Sequence, residues 1–95
     1  MEDKKKQHKN ELVVYRRRMR LSQKQVALLL GHKDTSMVSR YEHGRSLPPL
    51  LMALRLEIVY RMPVAYLYSE LYHELKEAIR ATEVAMALPV QQHLF

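Results

Sequence analysis

The sequence predicts an all-α fold, and three observations lead to this prediction. The chain of 95 residues contains only two glycines and four prolines. Its apolar residues recur with the three- and four-residue spacing of helices and show little of the alternation typical of strands. Between Leu21 and Pro48 the sequence contains two helix-start signals, each followed by a glycine suited to a helix end. We therefore expect short helices packed around one modest core.

The first of these two helices is predicted to begin after Ser22. The Ser22 hydroxyl can accept the free N–H of Gln25 while the Gln25 side chain reaches back, which forms a capping box. Gly31 can adopt the left-handed conformation that ends the helix. The residues expected to face the core or the next helix are Leu21, Val26, Ala27, Leu29 and Leu30.

The second helix is predicted to begin at Asp34 or Thr35, either of which suits the N-cap, and to end at Gly44. Val38 and Tyr41 are three residues apart and are expected to face inward. The outer face then carries polar and basic side chains without an acidic residue, namely Thr35, Ser36, Ser39, Arg40 and His43. A short helix with such a face suits the major groove of DNA.

Two further helices are predicted beyond these two. Pro48 and Pro49 suit the first turn of a helix whose broad inner face consists of Leu50, Leu51, Leu54, Ile58 and Val59. Pro63 suits the start of the last helix, which we expect to run from Val64 to about Ala87 before Pro89 breaks it.

Charge is distributed unevenly along the chain. Residues 1–48 contain twelve Lys or Arg residues against five Asp or Glu residues, a net charge of +7. Residues 49–95 contain four against five, a net charge of −1. A basic half that coincides with the two capped helices is typical of a phosphate-binding surface, although a merely solubilising surface has the same charge pattern.

The two capped helices resemble the Cro and phage-repressor (XRE) family of helix-turn-helix DNA-binding proteins. The resemblance covers about Leu12 to Leu67 and is carried by Arg16, Leu21, Ser22, Gln23, Val26, Ala27, Gly31, Val38, Ser39, Arg40, Glu42, Gly44 and Pro48. It implies a five-helix lambda-repressor-like domain, here with an extended C-terminal helix. Gly31 and Glu42 are one residue further apart than is usual in the family, so residues 32–34 form a longer turn.

The resemblance also implies roles for individual residues. Gln23 corresponds to the family glutamine that contacts the DNA backbone and supports the recognition helix, and Arg16 and Glu42 correspond to a structural ion pair. Arg40 is the foremost candidate for base reading, because a guanidinium can donate two hydrogen bonds to guanine.

The remaining candidates for DNA contact divide into three groups. Lys24, Lys33 and Arg45 are expected to contact phosphates. Thr35, Ser36, Ser39 and His43 lie on the outer face, where side chains reach bases or phosphates. Met37 either packs on a thymine methyl group or joins the core.

The predicted organisation has four parts. Residues 1–10 form a basic, flexible N-terminal arm, residues 11–67 form the DNA-binding domain, residues 68–88 form the C-terminal helix and residues 89–95 form a tail. One stripe of the last helix is expected to join two copies in a homodimer, and it consists of Leu67, Leu71, Leu75 and Ile79. The alternative is that this helix folds back onto its own domain.

Composition and motifs argue against several other functions. The chain has no cysteine and no apolar stretch long enough to span a bilayer, and no apolar segment of the kind found in signal peptides follows its basic first residues. We therefore expect a cytoplasmic protein. The segment from His73 to Glu77 begins like a zinc-protease helix, but Glu77 stands where the second histidine is needed. We therefore expect no metal, no cofactor, no small-molecule substrate and no enzymatic activity.

The sequence predicts a sequence-specific regulator of transcription that binds operator DNA as a homodimer and represses. Two alternatives remain open. In one, the chain is an antitoxin or adaptor whose C-terminal helix binds a different protein. In the other, the basic half and the amphipathic helix attach to an anionic membrane. The tyrosines and glutamates of the last helix disfavour the second alternative, so we expect no membrane partner.

Overall fold

The structure, a computed structural model, describes residues 7–87 and contains six helices in this part of the chain. They are α1 (Leu12–Arg18), α2 (Gln23–Leu29), α3 (Ser36–Glu42), α4 (Leu50–Tyr60), α5 (Val64–Leu67) and α6 (Ser69–Ala85). Residues 7–87 contain no strand, so the predicted all-α fold is confirmed. The predicted tail at residues 89–95 lies outside the described residues.

The ends of α2 and α3 have the predicted local chemistry. Ser22 Oγ accepts the N–H of Gln25 at 3.0 Å, and Gln25 Oε1 accepts the N–H of Ser22 at 2.8 Å, which completes the capping box. Gly31 and Gly44 end the two helices at φ +85° and +73°. Before α3, Asp34 Oδ1 accepts the N–H of Ser36 at 2.9 Å. Hydrogen bonds with the backbone and the side chain of Ser36 keep the pKa of Asp34 below its usual value.

One hydrophobic core holds the helices together. Its fully buried members come from α1 to α5 and their flanks, and they are Leu12, Val26, Ala27, Leu30, Val38, Tyr41, Leu56, Tyr60, Leu67 and Tyr68. Ala27 is only 1 % exposed, and the absence of a larger side chain lets α2 and α3 approach closely. The predicted inward positions of Val38 and Tyr41 are confirmed.

The predicted inner face of α4 is wrong. The helix faces the core with Leu56 and Tyr60, and of the five residues predicted to be inside only Val59 packs against the core, while the other four point outward. These residues form a continuous exposed stripe, hereafter the α4 outer face: Leu50, Leu51, Leu54 and Ile58. The cause is that α4 is apolar all round, so the sequence contains no polar side to mark the surface. Leu29 of α2, also predicted to be inside, is 61 % exposed.

The predicted long last helix is interrupted at Tyr68, which has φ −124° and ψ 51°. The break lets two consecutive side chains, Leu67 and Tyr68, both enter the core. Leu67 therefore belongs to the domain interior and is not available to a second copy, contrary to the prediction. In α6 no residue is fully buried. Leu71 packs against the core, whereas Leu75 and Ile79 are each more than half exposed.

The chain before α1 is bound to the domain at residues 7–10, hereafter the N-terminal strap. The N–H of His8 donates to the Gly44 carbonyl at 2.8 Å, and Asn10 Nδ2 donates to the Tyr41 carbonyl at 3.0 Å. Asn10 Oδ1 also accepts the N–H of Leu12 at 3.0 Å, at the start of α1. The prediction of a flexible arm is therefore wrong for residues 7–10, and residues 1–6 lie outside the described part.

Candidate nucleic-acid interface

The candidate interface is the outer face of α3. Ser36, Arg40 and His43 are exposed there and Ser39 is partly exposed, as predicted from their spacing. No carboxylate lies on this face, because the only acidic residue of α3 is Glu42 and its side chain is 4 % exposed. The face therefore offers hydroxyl, guanidinium and imidazole groups to a ligand, which suits the edges of base pairs and the phosphates beside them.

Arg40 is oriented by a contact that the sequence did not reveal. Its Nε and Nη2 lie 3.3 and 3.1 Å from the hydroxyl oxygen of Ser46, in the loop after α3. A guanidinium has five N–H donors, and the contact with Ser46 uses one on Nε and one on Nη2. The two donors of Nη1 and the second donor of Nη2 therefore remain available for a base edge. Ser46 follows Gly44 in a segment without helical period, so no local pattern indicates this role.

His43 bonds back to its own helix. Its Nδ1 lies 2.8 Å from the Ser39 carbonyl oxygen and 3.3 Å from the Ser39 hydroxyl. Because a carbonyl only accepts, Nδ1 is the donor, and the ring is held with Nε2 available for other partners. The structure thus brings Ser39 and His43 together on the outer face of α3.

A buried network holds the orientation of α3. Arg16 Nε lies 2.6 Å from Glu42 Oε2 and Arg16 Nη2 lies 3.2 Å from Glu42 Oε1, so the structure contains the expected ion pair in bidentate form. Gln23 Nε2 donates to Glu42 Oε1 at 2.8 Å. The hydrogen bond to Glu42 raises the pKa of Arg16. A single carboxylate thus joins the ends of α1 and α3 to the start of α2.

Two other candidates are partly buried. Met37 packs against the core, which is the second of the two possibilities that the sequence left open, so it does not belong to the groove-facing residues. Thr35 occupies the N-cap position of α3 without a side-chain capping bond and is partly buried.

The predicted phosphate contacts are all exposed. Lys24 lies in the first turn of α2, Lys33 in the turn before α3 and Arg45 directly after α3. Three further exposed cations were not among the candidates, although the basic run in the sequence signalled them: Arg17, Arg18 and Arg20, at the end of α1 and in the turn before α2. None of these six cations forms an ion pair within residues 7–87.

Other kinds of site find no support among residues 7–87. This part of the chain contains no group of three or more His, Cys, Asp or Glu side chains arranged to hold a metal ion. None of its helices has the length and apolar composition needed to cross a membrane.

A groove of about 270 Å³ lies between the N-terminal strap and α6, lined by Gln7, His8, Lys9, Glu70, Leu71 and Glu74.

Two capped helices around a turn, the second presenting an exposed polar and basic face, define a DNA-binding helix-turn-helix protein. Residues 14–67 match the helix-turn-helix family that includes Cro and the lambda repressor, and the chain belongs to this family. No curated protein and no solved structure gave a significant match.

Proposed function

We propose that the chain is a cytoplasmic, sequence-specific regulator of transcription that binds operator DNA as a homodimer and represses by covering a promoter. The observation that carries this proposal is the outer face of α3, which is exposed, polar to basic and free of carboxylates. A face of this kind is useful only if it is held in one orientation, and the Arg16–Glu42–Gln23 network supplies that support.

In the proposed complex, α3 enters the major groove. Arg40 donates to guanine O6 and N7, while Ser36, Ser39 and His43 contact neighbouring bases or phosphates. The surrounding phosphates are contacted by Lys24, Lys33 and Arg45, and Gln23 contacts the backbone through its remaining amide hydrogen. These phosphate contacts fix the register of the protein, and the base contacts give the specificity.

Dimerisation is part of the proposal because one short helix covers only one face of one groove. Proteins of this type gain affinity by placing two recognition helices about 34 Å apart on half-sites about one helical turn apart. Supporting this, α6 extends from the domain with no buried residue and with Leu75 and Ile79 exposed.

Selection of bound duplexes from a random pool tests the proposal. We expect enrichment of an inverted repeat with half-sites about 10 base pairs apart, bound about a thousandfold or more tighter than scrambled DNA. Enrichment of no sequence, with equal affinity for all duplexes, contradicts the sequence-specific function.

The second candidate is an antitoxin or adaptor whose α6 binds a different protein. The same exposed α6 favours it, because the helix needs a partner that the domain does not supply. Sedimentation distinguishes the two: a protein that binds DNA specifically but stays monomeric over its usable concentration range supports the second candidate.

A further inference from the structure

Helix α4 presents one of the unpartnered apolar surfaces among residues 7–87. Its outer face has Leu50, Leu51 and Ile58 exposed by 73, 70 and 73 %, with Leu54 at 45 %. On the opposite side, Leu56 and Tyr60 are buried in the core. A helix that is apolar all round is normally covered on all sides, and a contiguous apolar stripe on a surface marks an interaction site.

The other surface is the stripe of α6. Leu71, Leu75 and Ile79 succeed one another at four-residue spacing and so lie on one side of the helix. Leu71 packs against the core of its own domain, whereas Leu75 and Ile79 have no partner within residues 7–87. Leu75 and Ile79 are 55 and 56 % exposed, and the opposite side of α6 is polar. The stripe from Leu71 to Ile79 extends about 12 Å, and α4 with its eleven residues extends about 16 Å. The shorter stripe therefore fits within the length of the longer one.

We propose that α6 of one copy packs on the α4 outer face of a second copy, and that α6 of the second copy packs reciprocally on the first. This inference rests on the homodimer of the proposed function and names its interface. Every copy carries both surfaces, so a two-fold dimer covers all four at once and leaves no open end for further growth.

Charge favours this pairing over the pairing of like helices. Residues 69–85 of α6 contain four Glu against one Lys and one Arg, a net charge of −2. The α4 outer face is bordered by exposed Arg55 and Arg61. Residues 50–61 contain these two arginines against one acidic residue, Glu57, whose carboxylate accepts the N–H of Val64 at 3.0 Å, so they have a net charge of +1. Contact between α6 and α4 thus brings opposite charges together, whereas α6 with α6, or α4 with α4, brings like charges together.

A complementation experiment with Leu54→Asp and Leu75→Asp tests the inference. Each variant alone should weaken dimerisation by about a hundredfold or more, because in a two-fold dimer the change enters both contacts. In an equimolar mixture, a heterodimer keeps one intact contact, between α6 of the Leu54→Asp copy and α4 of the Leu75→Asp copy. Analytical ultracentrifugation should therefore detect dimer in the mixture at concentrations where both variants are monomers.

The controls address folding and other interfaces. Both positions are about half exposed, so circular dichroism should show native helix content in each variant. Val84→Asp introduces the same charge on the side of α6 away from the stripe, where Val84 is 74 % exposed, and should leave dimerisation unchanged.

Four results overturn the inference. Normal dimers of Leu54→Asp mean that α6 does not use α4, and normal dimers of Leu75→Asp mean that α4 does not use α6. A mixture that remains monomeric, or a wild-type chain that never dimerises, also contradicts the reciprocal arrangement. Because sedimentation needs no DNA, these outcomes are separate from a failure of sequence selection.

Discussion

Gly44 and His8 are in direct backbone contact at the end of α3. The Gly44 carbonyl accepts the N–H of His8 at 2.8 Å, and a Cβ added to Gly44 would lie 2.5 Å from the carbonyl oxygen of His8. Glycine is therefore required here for two independent reasons, its left-handed backbone at φ +73° and the close approach of the N-terminal strap.

We expect Gly44→Ala to be more destabilising than Gly31→Ala. Both substitutions put a Cβ on a left-handed residue, which costs about 1–2 kcal/mol, but Gly31 has no atom within 4 Å of the added Cβ. The displacement of His8 should add about 1 kcal/mol or more at Gly44 only. Urea unfolding of the two variants measures the difference in the free energy of unfolding. Equal losses in the two variants would show that the N-terminal strap moves away from the added Cβ without a cost in stability.

Removal of the buried carboxylate should be among the most damaging single changes. Glu42→Ala leaves Arg16, whose side chain is 13 % exposed, without its counter-charge, and we expect a loss of about 3–5 kcal/mol in the free energy of unfolding. The control is Glu83→Ala, which breaks the exposed pair with Arg80 and should change stability by less than about 1 kcal/mol. Thermal or urea unfolding compares them, and similar effects would contradict a structural role for Glu42.

Base reading and backbone contact predict different outcomes for two substitutions on the interface. Arg40→Ala should lose about 1–3 kcal/mol of discrimination at one base position per half-site, because it removes the guanidinium that we propose to read guanine. Gln23→Ala should weaken all sequences alike. Arg80→Ala removes the same charge from α6 and should leave the sequence preference unchanged.

Fluorescence anisotropy with the selected duplex and its single-base variants measures these effects. A uniform loss for Arg40→Ala would assign Arg40 to a phosphate, and an altered sequence preference for Gln23→Ala would contradict its assigned backbone contact.

Stability should fall in alkaline solution through Tyr60. Burial raises the pKa of the Tyr60 hydroxyl to about 12, and the Glu42 carboxylate adds to this shift. The unfolded chain releases that proton near pH 10, so the stabilisation is fully present below about pH 10 and is lost as the pH rises toward 12. The slope for one such tyrosine is at most about 1.4 kcal/mol per pH unit.

Tyr60→Phe removes this titration and should flatten the pH dependence of the unfolding free energy between pH 10 and 12. Burial also raises the pKa of Tyr41 and Tyr68, so part of the dependence should remain. Tyr66→Phe changes an exposed tyrosine and should leave the slope as in the wild type. An unaltered slope in Tyr60→Phe would show that the Tyr60 hydroxyl has the same pKa in the folded and the unfolded chain, which contradicts the prediction.

The features that the sequence predicted well are those encoded within a few residues. The capping box of Ser22 and Gln25 and the left-handed ends at Gly31 and Gly44 depend on neighbouring residues alone. Their spacing also predicted which side of α3 faces outward. The pairing of Arg16 with Glu42 came from the family resemblance, since these residues are 26 positions apart in the chain.

The features that the sequence predicted badly have two physical causes. In α4 the apolar residues surround the helix, so Leu50 and Ile58 had no polar contrast to place them on the surface. The N-terminal strap depends on bonds between distant residues, such as that from Asn10 to Tyr41, which leave no local pattern. The break at Tyr68 occurs without Pro or Gly at that residue, and it accompanies the burial of two adjacent side chains, Leu67 and Tyr68, which no local pattern indicates.

The hydrogen bond from His8 to Gly44 makes the eighth residue a reporter of the recognition helix. His8 lies outside the helices, where an amide without a hydrogen bond normally exchanges its hydrogen with solvent rapidly. Here the His8 amide is protected only while the end of α3 is in place. Its exchange rate therefore follows the local opening of the DNA-reading surface at a position that carries no DNA contact of its own in the proposed complex.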